Sequence, residues 1–104
     1  MRIEDNYDLD KLRNRTMELV LARIEKLIEE RDDFCKCENC ILDLIAYTLN
    51  HVKPFYMTSL LGPIDNGKKE KQIELGIELA LKAGLKRIKE HPHHEGKENF
   101  VTKN

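Results

Sequence analysis

Apolar residues recur at spacings of three and four along three stretches of this chain, and that spacing constrains the fold more than any other feature. The stretches run from Asn14 to Arg31, from about Glu38 to Val52 and from about Lys68 to Glu90. Such spacing places apolar side chains on one face of a helix. The sequence therefore predicts an all-α fold, a small bundle of three principal helices.

The flanks of these helices carry residues that begin or end helical structure. Asn14 is a good N-cap type for the first helix, and Asp8 is placed to cap an earlier, separate helical turn. Pro54 disfavours helical angles at Lys53, so the second helix should end before it. We expect a short extended segment in KPFYMTS and a chain-reversing loop in LGPIDNG.

The chain is short for a self-sufficient core. We expect one domain over residues 1–104, with an N-terminal arm (1–13) and a polar tail (91–104). A domain of this size buries only about two-thirds of the surface that its unfolded chain exposes. The chain has three Phe, three Tyr and no Trp to fill its core. Because a bound metal or a second subunit would add stability, we expect a homodimer.

Charge and hydropathy exclude several classes of function. The 18 basic and 19 acidic residues leave a net charge of −1, which disfavours general binding to nucleic acid. The sequence has neither the apolar segment of a signal peptide nor the roughly 18 apolar residues of a membrane span. We therefore expect a cytoplasmic protein, in a compartment that keeps thiols reduced.

The three cysteines of the chain, Cys35, Cys37 and Cys40, form a C-x-C-x-x-C cluster between the first two predicted helices. An odd, clustered set cannot form a disulfide framework. Thiolates at this spacing suit Zn²⁺, which takes four tetrahedral ligands when its role is structural. The free amides at the start of the second helix also favour thiolate over thiol. The cluster predicts a structural zinc site in the turn between the helices.

A fourth ligand is expected from HPHH, which follows the third helix. His94 is the predicted ligand, with His93, water or a partner chain as alternatives. His51 is too far away in its own subunit, because the 11 residues after Cys40 span about 16 Å of helix.

Three other interpretations of the cysteines and one other interpretation of the histidines stay open. The cysteines could be small buried apolar residues, a thiol redox site or ligands of an iron–sulfur cluster. The histidines could belong to a solvated tail with no ligand.

The segment from Cys35 to Tyr56 resembles the late competence development protein family, ComFB. The shared elements are C-x-C-x-x-C, an Asp in the next turn, an A-Y-x-L-N segment, a Pro and a Tyr. In this chain they are Cys35, Cys37, Cys40, Asp43, Ala46, Tyr47, Leu49, Asn50, Pro54 and Tyr56. A weaker likeness extends from Asn14 to about Pro92.

The resemblance implies a small, mainly helical bacterial protein that binds zinc through its cysteines and forms a homodimer. Some members have a fourth cysteine after the last helix, where this chain has His93 and His94. Some members are also thought to bind cyclic dinucleotides, notably cyclic di-GMP. Basic residues that could converge on two phosphates are Arg13, Arg15, Arg23, Lys82, Lys86 and Arg87. Solvated helix faces are the preferred explanation of these residues, and none is named as a site.

No motif for catalysis is visible, so no catalytic residue is predicted and we expect that the protein is not an enzyme. The leading interpretation is a zinc-binding regulatory or scaffold protein acting as a homodimer. The alternatives are a cyclic di-GMP receptor involved in signalling and a thiol redox sensor. Asp43 is either a hydrogen-bond partner of a ligating histidine or an ordinary first-turn acid. Gly84, within the apolar stripe of the third helix, predicts a close helix crossing.

Overall fold

The structure is a computed structural model that describes residues 1–58 and 67–92. In chain order the elements are α1 (Ile3–Asn6), a 3₁₀ turn (Leu9–Lys11), β1 (Arg13–Asn14), α2 (Arg15–Glu30), α3 (Glu38–Asn50), β2 (Tyr56–Met57) and α4 (Lys68–Glu90). The mostly helical fold is confirmed, with α2, α3 and α4 as the three principal helices. None of the helices in the described ranges has the length and apolar character needed to cross a bilayer.

The predicted helix boundaries agree closely with the structure. Asn14 caps α2, accepting a hydrogen bond from the backbone amide of Met17. Asp8 caps the 3₁₀ turn in the arm, as expected. The second helix ends at Asn50, two residues before the predicted Val52, because the amide of His51 donates to Thr48 and closes the last turn tightly. The predicted LGPIDNG loop and the tail from residue 93 lie largely or wholly outside the described residues.

A small antiparallel sheet was not predicted. Arg13 pairs with Met57, and Asn14 with Tyr56, so that β1 and β2 join the start of α2 to the segment after α3. The side chain of Asn14 strengthens this junction by accepting a hydrogen bond from the backbone amide of Phe55 at 3.3 Å. Strands of two residues are too short to show an alternating pattern in the sequence.

The core lies where α2, α3 and α4 meet. It consists mainly of aliphatic side chains, with Phe34 and Cys40 from the cysteine region: Val20, Ile24, Leu27, Phe34, Cys40, Leu44, Ile73, Ile77, Leu81, Leu85 and Ile88. Gly84 marks the predicted helix crossing. A Cβ at that position would lie 3.0 Å from Leu44 Cδ1 and 3.1 Å from Tyr47 Cδ1. The close neighbours are thus side chains of α3 rather than its backbone.

Candidate metal centre

The structure brings Cys35, Cys37 and Cys40 together. Their Sγ atoms all lie within 4.8 Å of one another. Cys40 is buried and the other two are half-buried. Four sulfurs held tetrahedrally at about 2.3 Å from zinc would be about 3.8 Å apart. The three thiols are therefore close to the spacing that a tetrahedral metal ion needs.

The start of α3 positions two of these sulfurs. Cys37 is the N-cap residue, and its Sγ accepts a hydrogen bond from the amide of Cys40 at 3.5 Å. The positive end of the helix dipole and the first-turn amide groups favour negative charge at this point. Cys40 itself belongs to the buried core cluster. The site is thus continuous with the hydrophobic core.

The turn before the cysteines is tied to the end of α2. Lys36 Nζ donates to the carbonyl oxygen of Ile28 at 2.7 Å and to Asp32 at 2.8 Å. Phe34, between Asp33 and Cys35 in the chain, is buried and belongs to the core cluster. The lysine satisfies one of the carbonyl groups that a helix end leaves unpaired. These contacts fix the path of the chain into the cluster.

The end of α4 reaches the same turn. Lys89 Nζ lies 2.8 Å from Asp33 Oδ2, and Asp33 also accepts hydrogen bonds from Arg31. The hydrogen bonds from Arg31 and then Lys89 hold the pKa of the Asp33 carboxyl well below its usual range. Ile88 belongs to the core cluster that includes Cys40. The last turn of α4 therefore lies beside the cysteine turn.

The histidines fall in different places. His93 and His94 lie outside the described residues, so the fourth-ligand prediction stays a prediction. His91 is the C-cap residue of α4 and lines a groove of about 330 Å³ together with Asp43, Tyr47 and Arg87. His51 lies at the other end of α3 from the cysteines. Its Nδ1 is 2.7 Å from the Tyr47 carbonyl oxygen, and its ring stacks on that of Tyr47.

Most of the arginines that could bind phosphate are paired with carboxylates. Arg13 contacts Glu18, Arg23 contacts Glu78, and Arg15 bridges Glu18 and Glu70. A different set of basic residues lines a shallow groove of about 460 Å³ beside the last turns of α4: Arg31, Lys82, Lys86 and Lys89. The sequence grouped Arg87 with Lys82 and Lys86 as one basic set. In the structure, Lys82 and Lys86 line this groove, whereas Arg87 lines the groove of His91.

Sequence reasoning missed the roles of Asp33, Lys36 and Lys89. The pairing of Asp33 with Lys89 joins positions 56 residues apart, and no sequence pattern indicates it. Lys36 was predictable in part. A basic residue eight positions after Ile28 in a turn is within reach of the helix end, where free carbonyl groups attract cations.

A three-helix core and a cysteine cluster at a helix start define a class of small helical proteins with a thiol-rich candidate metal site. Within that class the chain belongs to the ComFB family, because residues 13–92 match the family described as late competence development protein ComFB. The resemblance seen in the sequence is thus confirmed. No curated protein matched the chain, and no solved structure matched it.

Proposed function

We propose that this protein is a non-enzymatic regulatory or scaffold protein that acts as a homodimer and holds a structural zinc ion at Cys35, Cys37 and Cys40. One observation carries the metal site: three Sγ atoms lie within 4.8 Å of one another at the start of a helix. Clustered thiolates select soft or borderline metals such as zinc over magnesium or calcium. A core cluster that already includes Cys40 supports a structural role.

The fourth ligand in this proposal is His94, with His93, water or a partner chain as alternatives. Support comes from the contact of Lys89 with Asp33, which brings the end of α4 to the cysteine turn. The four residues from Glu90 to His94 can extend up to about 14 Å. This length of chain makes His94 the candidate for the fourth ligand at the cysteine turn.

Bound zinc would stabilise the fold by joining segments that are distant in the chain. Its ligands would connect the turn after α2, the start of α3 and the residues after α4. Binding free energy at such a site is also folding free energy. In a domain with a thin core, the metal would add stability that packing alone does not provide.

Metal analysis of cysteine variants tests this proposal. We expect zinc in a one-to-one ratio to the chain in protein purified from zinc-supplemented culture, and its loss in Cys35→Ser and Cys37→Ser. Glu38→Gln is the matched control, since Glu38 is an exposed non-thiol residue in the same turn. Both cysteine variants should melt at a lower temperature than this control. Wild-type protein without metal, with a melting temperature that a strong chelator leaves unchanged, would overturn the proposal.

A second candidate function is binding of a cyclic dinucleotide such as cyclic di-GMP. The observation that favours it is the groove beside the last turns of α4, in which the cations of Lys82 and Lys86 could face phosphate groups. Arg31 and Lys89 line the same groove but are paired with Asp33. A saturable thermal shift with cyclic di-GMP, abolished in Lys82→Ala/Lys86→Ala, would support it. The third candidate, a redox sensor, requires rapid alkylation of one cysteine in active, metal-free protein.

A further inference from the structure

A cleft of about 440 Å³ lies between the segment after α3 and the first turns of α4. Small-molecule sites in proteins usually have volumes of about 300 to 1,000 Å³ and combine an apolar lining with a few polar groups. The cleft shares no lining residue with the cysteine cluster or with the basic groove beside the last turns of α4. It is therefore a separate feature of the protein surface.

Part of the lining of this cleft is apolar and continuous with the core. Ile73 belongs to the core cluster, and Val52 packs against it. Pro54 and Gly76 also line the cleft. A Cβ at Gly76 would contact only Val52 among the described side chains, at 3.7 Å. The absent side chain at position 76 therefore leaves space beside Val52 for an apolar group.

The polar part of the lining is basic. Lys53 and Lys69 line the cleft together with His51, and no acidic residue of the described chain does so. The two other large grooves named above each contain a carboxylate, from Asp43 in one and Glu90 in the other. Two cations without an acid in the same lining favour a negatively charged ligand.

The fold fixes the chain on both sides of the cleft. Thr16 Oγ1 donates to the carbonyl oxygen of Lys53 at 2.7 Å, and the amide of Arg15 donates to that of Phe55 at 2.7 Å. On the α4 side, Lys69 Nζ lies 4.6 Å from the centroid of the Phe55 ring, in a cation–π contact. A ligand would thus enter a cleft that is already formed, so little affinity would be lost in ordering it.

We propose that this cleft binds a small organic anion with an apolar body, either a carboxylate or a phosphate ester. The charged group faces the ammonium groups of Lys53 and Lys69, which donate charge-assisted hydrogen bonds. The apolar body covers Val52 and Ile73 and removes their exposed surface from water. This binding site goes beyond the proposed metal-binding function and requires neither the zinc ion nor a second subunit.

Amide NMR titration of the full chain with three probes tests the ligand class. The probes are naphthoate, naphthyl phosphate and naphthalenemethanol, which share an apolar ring system and differ in the charged group. Both anions should cause saturable shifts centred on Val52, Lys69 and Ile73. We expect at least one of them to bind about tenfold or more tightly than the neutral alcohol. The anion with the higher affinity identifies the preferred charged group.

Variants of the lining test the position of the site. Gly76→Leu places a side chain in the space beside Val52 and should abolish binding of all three probes. Lys53→Gln/Lys69→Gln should weaken binding of the anions about tenfold or more and leave binding of the alcohol unchanged. Lys71→Gln is the matched control, because Lys71 is an exposed lysine of α4 that does not line the cleft. Circular dichroism checks that each variant keeps its helices.

Several results would overturn this proposal. One is equal affinity of wild type for the anions and the alcohol, and another is full anion binding by the double lysine variant. Shifts centred on the exposed Leu79 would indicate adsorption to an apolar surface instead. Displacement of naphthoate by cyclic di-GMP would assign the cleft to a dinucleotide rather than to a small apolar anion. None of these results depends on the zinc content of the protein, so the metal site is tested separately.

Discussion

At the scale of single residues, Glu18 in the first turn of α2 forms ion pairs with two arginines. It accepts hydrogen bonds from Arg13 at 2.6 Å and from Arg15 at 3.2 Å. Arg15 continues to Glu70 in the first turn of α4, with Nη2 3.0 Å from Oε1. These contacts join the sheet, α2 and α4 through one chain of ion pairs. They also occupy two arginines that would otherwise be available to an anion.

The loss of stability at acid pH should depend in part on protonation of the Glu18 carboxylate. The hydrogen bond from Arg13, followed by that from Arg15, lowers the pKa of Glu18 from 4.5 to about 2. Since the folded-state pKa is below the unfolded one, its contribution to stability is complete above about pH 4.5 and is lost as the pH falls towards 2.

Melting curves of wild type and Glu18→Gln should therefore differ at neutral pH and converge over this range. The difference should also shrink at high salt, because the pair is exposed and therefore screened. Glu29→Gln, an exposed acid on α2, is the control and should not converge in this way. A constant difference between wild type and Glu18→Gln from pH 7 to pH 2 would contradict the assignment.

At the scale of elements, two glycines of α4 differ in the space around them. A Cβ at Gly84 would lie 3.0 Å from Leu44, which is fully buried, whereas a Cβ at Gly76 would lie 3.7 Å from Val52. The first distance is too short for an easy fit, and the second is ordinary contact. Alanine in a helix gains about 1 kcal/mol over glycine, so the two sites should respond with opposite signs.

We expect Gly84→Ala to lower the free energy of unfolding by about 1 kcal/mol, because overpacking costs more than helix propensity returns. Gly76→Ala should raise it by about 1 kcal/mol. Urea denaturation of both variants measures the two changes under the same conditions. Equal stabilisation by both would show that Leu44 and Tyr47 move aside and that the α3–α4 crossing does not depend on Gly84.

The elements also show how far sequence reasoning reaches in this chain. The three principal helices were predictable because each has a long apolar stripe and a boundary residue such as Asn14 or Pro54. The cysteine cluster was predictable because its three residues are close together in the sequence. The β1–β2 pair and the contact of Lys89 with Asp33 were not, since each depends on residues that only the folded chain brings together.

At the scale of the whole molecule, the proposed metal site links the cysteine turn to the residues after α4. If His94 is a ligand, its effect on stability must depend on the metal. In zinc-loaded protein, His94→Ala should lower the melting temperature, whereas after chelation the variant and the wild type should melt together. His91→Ala is the control, since His91 caps α4 and should have the same small effect in both forms.

Comparing these variants with wild type, both with zinc and after chelation, distinguishes a histidine that binds the metal from one that only packs against the protein. Cobalt substitution adds a spectroscopic check, because loss of an imidazole ligand alters the visible absorption of a tetrahedral site while loss of a packing residue does not. If His94→Ala binds zinc as tightly as wild type does, the fourth ligand lies elsewhere. His93→Ala, measured in parallel, then distinguishes its neighbour from water or a partner chain.

The helices α2 and α3 and the turn between them form a hairpin, and contacts hold both of its ends. At one end, β1 and β2 hold the start of α2 to the segment after α3, with Thr16 Oγ1 also donating to the Lys53 carbonyl oxygen at 2.7 Å. At the other end, Lys36 ties the turn before α3 to the end of α2 through its hydrogen bond to the Ile28 carbonyl oxygen. Helices normally begin to lose structure at their ends, and here both ends are fastened. Amide hydrogens across the hairpin should therefore exchange in one concerted opening rather than progressively from a free terminus.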